Sequence, residues 1–486
     1  MTSRPGRPRR RSDRGRGAIA ILGAACRLPG APDPDAFWTL LAEGRDAVTT
    51  VPPERFTGAA FLHPRRGEPG KTYTFAAGTL GDVAGFDAAA FGISPREAVE
   101  MDPQQRLLLE LAREAMEDAG VPPSALAGTG TGVFVGASLT DYGDLRQADP
   151  ASGDRWFMTG GALSILANRI GNVFDLRGPA QTIDTACSSG LVALHLAAEA
   201  LRAGRLPAAI VGGVNMLLSP FPFLGFAKAG MLSPTGRCRA FDAAADGYVR
   251  AEGGVVLVLK RLEDALAAGD AVRAVILGTA SNAAGRTVGL SLPSGAAQQA
   301  LIESALAEAG VAPERLSYFE AHGTGTAAGD PIEAAAIGGA IGRARLAAGA
   351  GALPIGSAKS NIGHTEPASG LVGLLKGVLA LEHGRVPPTL HVSRPNPAID
   401  FAGLGLCLAT ATEPLPAEPR AVIGVNSFGF GGTNACALLA APPRPARRAE
   451  PSCRALPPLL LSAHSAESLA GLAARWRDRL AATPLR

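Results

Sequence analysis

A short strand-like run is joined to a helical stretch by the residues Asp184-Thr185-Ala186-Cys187-Ser188-Ser189-Gly190. A cysteine in this setting lies at the N-terminus of a helix, where unpaired backbone amides and the helix dipole favour the thiolate over the thiol. A thiolate attacks thioesters, and a backbone amide at such a turn can stabilise the oxyanion that forms. The segment taken alone is as typical of a buried cysteine that packs as a small apolar residue. Cys187 is therefore a candidate nucleophile that needs support from the rest of the chain.

The alternation of short apolar runs with helical stretches continues along most of the chain. Buried strands are predicted at 18–25, 132–136, 181–185, 208–216, 254–259, 275–278, 316–320 and 421–425. Helices are predicted after Ser94, Asp102 and Ser294, because these residue types accept hydrogen bonds from the first turn of a helix. Such alternation predicts an α/β protein with a covered, largely parallel sheet.

The two ends of the chain differ from its body in composition and charge. Residues 1–17 form an Arg-, Pro- and Gly-rich tail of net charge +6, which is predicted to be disordered. Residues 441–486 carry +5, so the formal net charge of +3 leaves −8 on residues 18–440. An acidic body is unlike a nucleic-acid-binding protein, which carries its positive charge on a folded face. Within the C-terminal segment, a Pro-rich linker is predicted at 442–458, then a strand at 459–462 and an amphipathic helix at 465–480.

The cysteines and the apolar runs exclude several classes of protein. The six cysteines form neither a CxxC pair nor a cluster with zinc spacing, so we predict no disulfide framework and no metal site. No apolar run approaches the roughly 20 residues needed to span a bilayer. The arginines at 9–11 and the apolar run at 18–25 resemble an export signal, but the run is short and fits a buried strand equally well. We therefore predict a reduced, cytoplasmic protein that does not contact membranes.

Two of the seven histidines lie in glycine-containing segments that follow apolar runs. His322 lies in Glu320-Ala321-His322-Gly323-Thr324-Gly325-Thr326, and His364 lies in Lys359-Ser360-Asn361-Ile362-Gly363-His364. Since α/β proteins place ligands at the carboxyl ends of strands, both are candidates for a site shared with Cys187. A single histidine is more often structural, and His195, on the helix after Cys187, is interpreted as a packed polar residue.

A further glycine-rich segment follows the strand predicted at 421–425 and reads Asn426-Ser427-Phe428-Gly429-Phe430-Gly431-Gly432-Thr433-Asn434. Its glycines suit a turn that needs positive φ angles. They suit equally a backbone that approaches a ligand closely, with Phe428 and Phe430 able to gate a channel. The spacing alone leaves both interpretations open.

Together these motifs resemble the β-ketoacyl synthase family and, within it, the ketosynthase domains of type I polyketide synthases. The resemblance covers residues 18–440 and rests on stretches at 24–30, 91–97, 101–106, 184–189, 236–242, 320–333, 359–366 and 426–434. It implies a thiolase-like α/β fold with two similar mixed-sheet halves in five α-β-α-β-α layers, assigned to 18–265 and 266–440, and a homodimer. Residues 441–486 then contain a linker and the start of a ketosynthase-to-acyltransferase adaptor.

The resemblance also implies roles for individual residues. Cys187 matches the nucleophile that takes an acyl chain from the phosphopantetheine arm of a carrier protein. His322 and His364 match the pair that assists loss of CO2 from a malonyl thioester and stabilises the resulting enolate. The other implied roles are a supporting pair, Lys359 with Glu333; an oxyanion hole, the backbone amides of Cys187 and Phe430; and substrate or pantetheine binding, Thr324, Thr326 and Phe428.

The implied function is a decarboxylative Claisen condensation of a malonyl-type carrier-protein thioester with the acyl chain on Cys187. This chemistry needs a soft nucleophile and donors for two developing oxyanions, but no bound metal or redox cofactor. The substrates would come from an acyl carrier protein and from an acyltransferase on another domain or protein. Two alternatives are a ketosynthase-like acyl transferase or gatekeeper that does not condense, and a non-catalytic heterodimer partner. The two histidines count against the first alternative, and the intact Cys187 motif counts against the second.

The sequence departs from the family pattern at two places. Gly190 stands where many relatives carry a third serine, which is expected to loosen the first turn of the helix after Cys187. The stretch at 281–293 differs from the Asn-Gln-Asp-Gly pattern of assembly-line relatives and is closer to some iterative or unusual subgroups. Substrate rules of the assembly-line relatives therefore do not transfer to this chain.

Overall fold

The structure of the protein is a computed structural model that describes residues 17–149, 151, 153–417, 420–443 and 458–482. Most of the predicted basic tail and most of the predicted linker, with Cys453, lie outside the described residues. The chain falls into two compact units, a larger one of Met1–Phe86 and Val99–Pro442 and a smaller one of Asp87–Ala98 and Pro443–Arg486. No helix in the described part of the chain is long and apolar enough to cross a membrane.

The strands of the described residues include the eight buried strands predicted between residues 18 and 425, with small differences in their bounds. They are β1 (Ile19–Arg27), β2 (Val48–Thr50), β3 (Ala76–Gly78), β4 (Gly132–Gly136), β5 (Ala180–Ile183), β6 (Ala209–Asn215), β7 (Arg250–Ala251), β8 (Gly253–Arg261), β9 (Ala274–Ala283), β10 (Leu316–Glu320), β11 (Leu353–Gly356), β12 (Arg385–Val386), β13 (Leu406–Leu408), β14 (Glu413–Pro414), β15 (Val422–Phe428) and β16 (Thr433–Ala440).

The helices alternate with the strands along most of the chain. They are α1 (Pro34–Ala42), α2 (Pro95–Glu100), α3 (Pro103–Asp118), α4 (Pro123–Leu126), α5 (Asp141–Gln147), α6 (Phe157–Gly161), α7 (Ser164–Val173), α8 (Ser189–Arg202), α9 (Phe221–Lys228), α10 (Leu262–Ala268), α11 (Gly295–Ala309), α12 (Gly329–Ile337), α13 (Arg343–Ala347), α14 (Lys359–Ile362), α15 (Ser369–His383), α16 (Phe401–Leu404) and α17 (Ala466–Ala482).

The predicted helix starts are confirmed by their hydrogen bonds. The backbone amide of Glu97 donates to Ser94 Oγ, and that of Gln104 donates to Asp102 Oδ1 at 2.8 Å. Ser294 accepts from the amide of Ala297 in the same way. Each side chain satisfies a backbone donor that the helix itself leaves unpaired, which fixes where the helix begins.

Eleven strands form one hydrogen-bonded ladder in the order β13-β11-β10-β15-β16-β9-β1-β8-β6-β4-β5. The ladder is mixed, so the largely parallel sheet predicted from the strand–helix alternation is wrong, whereas the mixed sheet implied by the resemblance is confirmed. Strands are parallel toward both ends of the ladder, and the middle pairs from β15 to β6 are antiparallel. The physical reason is that strand direction depends on contacts between distant segments, which the alternation of local patterns does not report.

The ladder contains two similar halves that meet where β1 pairs with β9. From this pair outward, each half has two antiparallel pairings followed by parallel ones: β1-β8-β6-β4-β5 on one side and β9-β16-β15-β10-β11-β13 on the other. At the meeting point, Ile19 lies opposite Ile276. The two-half α/β arrangement predicted from the resemblance is thus confirmed.

Helices α8 and α15 form the middle layer between the two halves. Helix α8 packs on β4 and β6 of the first half and on β16 and β9 of the second, while α15 packs on β15 and on α8. Helices α3 and α7 cover the outer face of the first half, and α11 and α12 cover the second. Each half therefore has a helical layer on both faces, which produces the five predicted layers.

Helix α15 is surrounded by protein over most of its length, and its residues in that stretch are apolar apart from Ser369 and Lys376. Every residue of α15 from Ser369 to Ala380 is buried, and each fully buried leucine contributes about 1.5–3 kcal/mol. Gly190 of α8 lies at this contact, where an added Cβ atom would be 2.9 Å from the Pro367 carbonyl oxygen. The first turn of α8, which was expected to be loosened by Gly190, is closely packed.

The smaller unit contains helix α17 and part of the predicted C-terminal segment. The amphipathic helix predicted at 465–480 is confirmed as Ala466–Ala482. The strand predicted at 459–462 is absent from the described residues, where the chain approaches the helix without regular structure. A strand needs a hydrogen-bonded neighbour, and no neighbouring strand lies in the described part of this unit.

Candidate active site

The turn that carries Cys187 is strained and tied down on both sides. Strand β5 ends at Ile183, and Ala186 takes a left-handed conformation with φ of 56°, which costs a non-glycine residue about 1–3 kcal/mol. The Ala186 amide donates to Asp184 Oδ1 at 2.9 Å, and the Ser189 amide donates to the Ala186 carbonyl at 3.1 Å. These bonds hold the sharp bend that places Cys187 just before helix α8.

The backbone of Cys187 is also fixed by the second half of the fold. Its carbonyl oxygen accepts from Ser427 Oγ at 2.7 Å and from Ser369 Oγ at 3.3 Å. Ser427 lies on β15 and Ser369 begins α15. The candidate nucleophile is therefore positioned by both halves of the molecule.

The Cys187 thiol is buried, and burial raises its pKa to about 12. The Glu366 carboxylate also raises this pKa, while the Lys359 ammonium and the backbone amides of Phe430 and Cys187 lower it. The prediction of a favoured thiolate is therefore wrong for the resting site, because desolvation outweighs the helix N-terminus. The two amides nevertheless face the sulfur, so they are placed to donate to an oxyanion formed beside it.

His322 lies two residues after the end of β10 and faces the other candidate histidine. Its ring lies 5.3 Å from that of His364, centroid to centroid, at an interplanar angle of 81°, and 5.6 Å from the Phe428 ring. Its backbone amide donates to Glu333 Oε1 at 2.7 Å. Burial and the nearby Lys359 ammonium lower the pKa of His322 well below its usual range, so the imidazole is neutral.

His364 is held in a single tautomer by a backbone donor. The Glu366 amide donates to His364 Nδ1 at 3.2 Å. Because an amide can only donate, Nδ1 must be unprotonated, and a neutral His364 carries its proton on Nε2. Burial, Lys359, His322 and Arg250 lower the pKa of His364 well below its usual range. The site thus holds a neutral imidazole that carries its donor proton on Nε2.

Lys359 and Glu333 support the site without forming a direct ion pair among the described residues. Glu333 accepts from the amides of His322 and Gly323 at 2.7 and 2.8 Å. Burial lowers the pKa of Lys359, while the carboxylates of Glu320 and Glu333 raise it. The expected pairing is therefore electrostatic at longer range, and Glu333 mainly fixes the backbone at His322.

A cavity of about 570 Å³ brings most of the predicted residues together. Among the predicted residues, its walls include Cys187, His322, His364, Glu333, Thr324, Thr326, Phe428 and Phe430. Thr324 Oγ1 and Thr326 Oγ1 lie 3.1 Å apart. Lys359 lines a much smaller neighbouring cavity with Glu320 and Asn426. Of the predicted set, Lys359 alone is not part of the main wall.

The loop within the glycine-rich segment at 426–434 is shorter than predicted. Strand β15 continues to Phe428, and β16 begins at Thr433, so only four residues form the turn. Phe428 is buried, whereas Phe430 is 48% exposed and packs edge-on against Phe226 at 5.8 Å. The turn holds the Phe430 amide beside Cys187.

Two buried ion pairs lie next to the site and were not predicted from the sequence. Arg250 Nε lies 2.5 Å from Glu366 Oε1, and Lys376 Nζ lies 2.7 Å from Glu320 Oε2. Arg250 and Lys376 have no exposed surface. Lys376 lies in an otherwise apolar run of sequence, and a charge in such a run requires a buried partner. That pattern could have identified Lys376 as a buried cation, though not its partner, whereas Arg250 lies between Asp246 and Glu252 and has no such pattern.

Family models match almost the whole chain. The β-ketoacyl synthase N-terminal domain matches residues 16–265, and the C-terminal domain matches residues 273–393. The ketoacyl-synthetase C-terminal extension matches residues 395–485.

Similar curated proteins are the large polypeptides of a polyketide synthase from Mycobacterium tuberculosis. The chain is 47% identical over 473 residues to one polypeptide of the phenolphthiocerol/phthiocerol polyketide synthase, covering 95% of this chain and 25% of that protein. It is 48% identical over 423 residues to a second polypeptide of the same synthase, covering 87% of this chain and 27% of that protein. The chain thus spans about a quarter of the length of these relatives.

Similar solved structures are ketosynthase domains. The oxazolomycin ketosynthase domain OzmH KS7 of Streptomyces albus JA3453 aligns with a TM-score of 0.87 and 40% identity, covering 96% of this chain and 81% of that one. The ketosynthase from module 6 of the bacillaene synthase of Bacillus subtilis 168 aligns with a TM-score of 0.85 and 35% identity, covering 96% and 78%.

Proposed function

The chain belongs to the β-ketoacyl synthase family, and from this premise we propose that Cys187, His322 and His364 carry out its condensation. The protein is a ketosynthase of the polyketide synthase type and transfers acyl groups. The observation that carries the residue assignment is the convergence of one thiol and two neutral imidazoles on a single cavity.

In the first step, Cys187 takes an acyl group from a thioester. The thiol must lose its proton as its sulfur attacks the acyl carbonyl, because burial raises its pKa. The carbonyl oxygen becomes an oxyanion that the amides of Cys187 and Phe430 stabilise. Collapse of this intermediate breaks the bond to the carrier sulfur, which takes up the proton lost by Cys187 and leaves as the carrier thiol, while the acyl group stays on Cys187.

In the second step, a malonyl thioester loses CO2 beside the acylated cysteine. The negative charge passes to the thioester oxygen of the enolate, where the Nε2–H of His364 donates. His322, whose ring Nδ1 has no hydrogen-bond partner in the described structure, lies on the same wall and completes the enolate site. The enolate carbon attacks the acyl carbonyl, the Cys187 sulfur leaves, and a β-ketoacyl thioester forms.

We further propose that both substrates arrive on the phosphopantetheine arm of an acyl carrier protein. The hydroxyls of Thr324 and Thr326, 3.1 Å apart on the cavity wall, suit the amide groups of such an arm. An acyltransferase on another domain or protein would charge the carrier. The protein would act as a cytoplasmic homodimer without a bound cofactor, a nucleic acid or a membrane.

Two other functions fit the fold but account for fewer residues. An acyl transferase or gatekeeper needs Cys187 and its oxyanion hole but does not use His322 and His364. A non-catalytic heterodimer partner needs neither the nucleophile nor the two histidines. The closely held geometry around Cys187 and the tautomer of His364 therefore favour condensation.

Intact-protein mass spectrometry tests the proposal. The chain is incubated with an acyl thioester of a pantetheine mimic and then with a malonyl thioester of the same mimic. An acyl adduct absent from Cys187→Ala, followed by its conversion to free β-ketoacyl product, is the expected result. A stable adduct that malonyl thioester never discharges would favour transfer alone, and a Cys187→Ala variant that still loads would overturn the nucleophile.

A further inference from the structure

The Arg250–Glu366 ion pair is buried directly beside His364. Arg250 Nε and Nη2 donate to the two carboxylate oxygens of Glu366 at 2.5 and 2.9 Å. Arg250 is fully buried and Glu366 is 5% exposed. The rings of Phe223 and Phe226 lie 4.7 and 5.3 Å from the guanidinium carbon. A bidentate pair enclosed by aromatic rings is rigid, because neither partner can leave without exposing a charge to apolar surroundings.

The backbone of Glu366 is strained at the point where it contacts His364. Glu366 has a φ of 45°, a conformation that L-residues other than glycine adopt only when the surroundings enforce it. Its amide in this conformation donates to His364 Nδ1 at 3.2 Å. Glu366 therefore has two contacts in one residue: its side chain is held by Arg250, and its strained backbone fixes the His364 imidazole.

Arg250 holds His364 from the opposite side. The His364 amide donates to the Val249 carbonyl, and the Ala251 amide donates to the His364 carbonyl, each at 2.7 Å. Arg250 therefore lies between two residues that bracket the histidine backbone. The ion pair completes these contacts, because it joins β7 to Glu366, the residue whose amide donates to the His364 imidazole.

We propose that Arg250 and Glu366 are positioning residues that stabilise the left-handed Glu366 backbone and thereby keep the proton of His364 on Nε2, aimed into the cavity. The inference rests on the proposed role of His364 in decarboxylation. It assigns no contact with substrate to either residue. If the Arg250–Glu366 ion pair is lost, the backbone at residue 366 relaxes and His364 Nδ1 loses its donor. The two neutral tautomers of His364 then become mixed.

The test separates the ion pair from the backbone conformation that it holds. The double variant Arg250→Met with Glu366→Gln removes both charges at similar volume, which avoids leaving one buried charge unpaired. The second double variant, Arg250→Met with Glu366→Gly, also lacks the pair but places glycine where the positive φ costs little. A matched control is Arg27→Met with Glu114→Gln, which removes another bidentate Arg–Glu pair.

Two half-reactions are measured for each variant, with thermal unfolding to confirm the fold. The first double variant is expected to lose at least tenfold in CO2 release from a malonyl thioester of a pantetheine mimic. Its rate of Cys187 acylation is expected to stay within about threefold of wild type. The glycine variant is expected to regain most of the CO2 release, and the control to keep both rates. Equal loss in the two Arg250 variants, or unchanged CO2 release in the first, would overturn the proposal.

Nitrogen NMR of the histidine rings provides a readout independent of activity. The chain has seven histidines, and the His364 signals are assigned by their loss in His364→Gln. Wild type is expected to show an unprotonated Nδ1 and a protonated Nε2, and the first double variant to show averaged values. Unaltered ring shifts in that variant would refute the positioning role of the Arg250–Glu366 ion pair. If wild type releases no CO2, the proposed function fails, while the ring shifts still test that positioning role.

Discussion

Ser427 Oγ donates a 2.7 Å hydrogen bond to the carbonyl oxygen of Cys187. Ser427 is fully buried near the end of β15, and Cys187 lies at the turn before α8, in the other half of the fold. The bond therefore joins the two halves at the candidate nucleophile. The bond also connects β15, which leads into the Phe430 turn, to Cys187. The amide of Phe430 in that turn would activate the Cys187 thioester.

Removing this bond should slow acylation without abolishing it. In Ser427→Ala the Cys187 carbonyl keeps, among the described residues, one side-chain bond, from Ser369 at 3.3 Å. The loss of one buried hydrogen bond costs about 1 kcal/mol, which corresponds to about fivefold in the acylation rate measured by intact mass. Ser369→Ala, which removes the longer bond, is expected to have the smaller effect. A larger effect for Ser369→Ala would contradict the assigned order of importance.

The turn at Phe430 should tolerate a methyl group at one glycine and not at another. A Cβ atom at Gly429 would lie 2.2 Å from the Thr185 carbonyl oxygen, whereas one at Gly431 would meet nothing within 4 Å. Gly429→Ala must therefore push the turn away from Cys187, and a loss of at least 100-fold in acylation is expected. Gly431→Ala serves as the matched control and should acylate within about twofold of wild type. Similar acylation rates in the two variants would show that the turn does not set the oxyanion site.

The strands that were predicted well and those that were missed differ in a physical way. The bounds of β4 and β10 agree with the sequence prediction, because both are short and rich in residues that favour strands, Val133 to Val135 in β4 and Tyr318 with Phe319 in β10. Strand β16, Thr433–Ala440, was missed since its Ala- and Leu-rich sequence suits a helix as well as a buried strand. Only its pairing with β15 and β9 makes it a strand.

The site shows the same limit of local patterns. Cys187, His322 and His364 were identifiable because each lies in a distinctive segment, and the structure brings them to one cavity. The partner of Arg250 lies 116 residues away, so no spacing rule could have indicated it. The state of the Cys187 thiol was mispredicted for a related reason: a helix N-terminus is visible in the sequence, but the burial that raises the pKa is a property of the packed molecule.

Acid should destabilise the fold partly through its buried histidines. The folded-state pKa of His364 lies well below its ordinary value of 6.5, so below pH 6.5 the unfolded chain binds a proton that the native chain does not. The stabilisation is therefore present above pH 6.5 and lost as pH falls. Between pH 7.5 and pH 5.5 this linkage is worth about 1.4 kcal/mol for one histidine.

Urea unfolding at these two pH values measures the effect. Wild type is expected to lose about 1.4 kcal/mol more than His364→Gln between pH 7.5 and pH 5.5, because the variant lacks the buried imidazole. The exposed His464 provides the control, and His464→Gln should follow wild type. An identical loss in wild type and His364→Gln would mean that His364 is not held neutral in the native state.

Removing one member of the buried pair of Lys376 and Glu320 should lower the free energy of unfolding strongly, whereas replacing both members should lower it little. Lys376 Nζ lies 2.7 Å from Glu320 Oε2, and Glu320 also accepts from Tyr318 OH at 2.6 Å. Lys376→Met leaves the carboxylate buried without its hydrogen-bonded cation, so a loss of about 3–5 kcal/mol in the free energy of unfolding is expected. Adding Glu320→Gln should recover most of that loss, because it removes the stranded carboxylate while Glu333 still faces Lys359. Urea unfolding compares both with Arg113→Met, which breaks a solvent-exposed pair with Glu117 and should cost less than about 1 kcal/mol. A double variant as unstable as Lys376→Met alone would show that packing of the lysine stem, and not its charge, holds α15 in place.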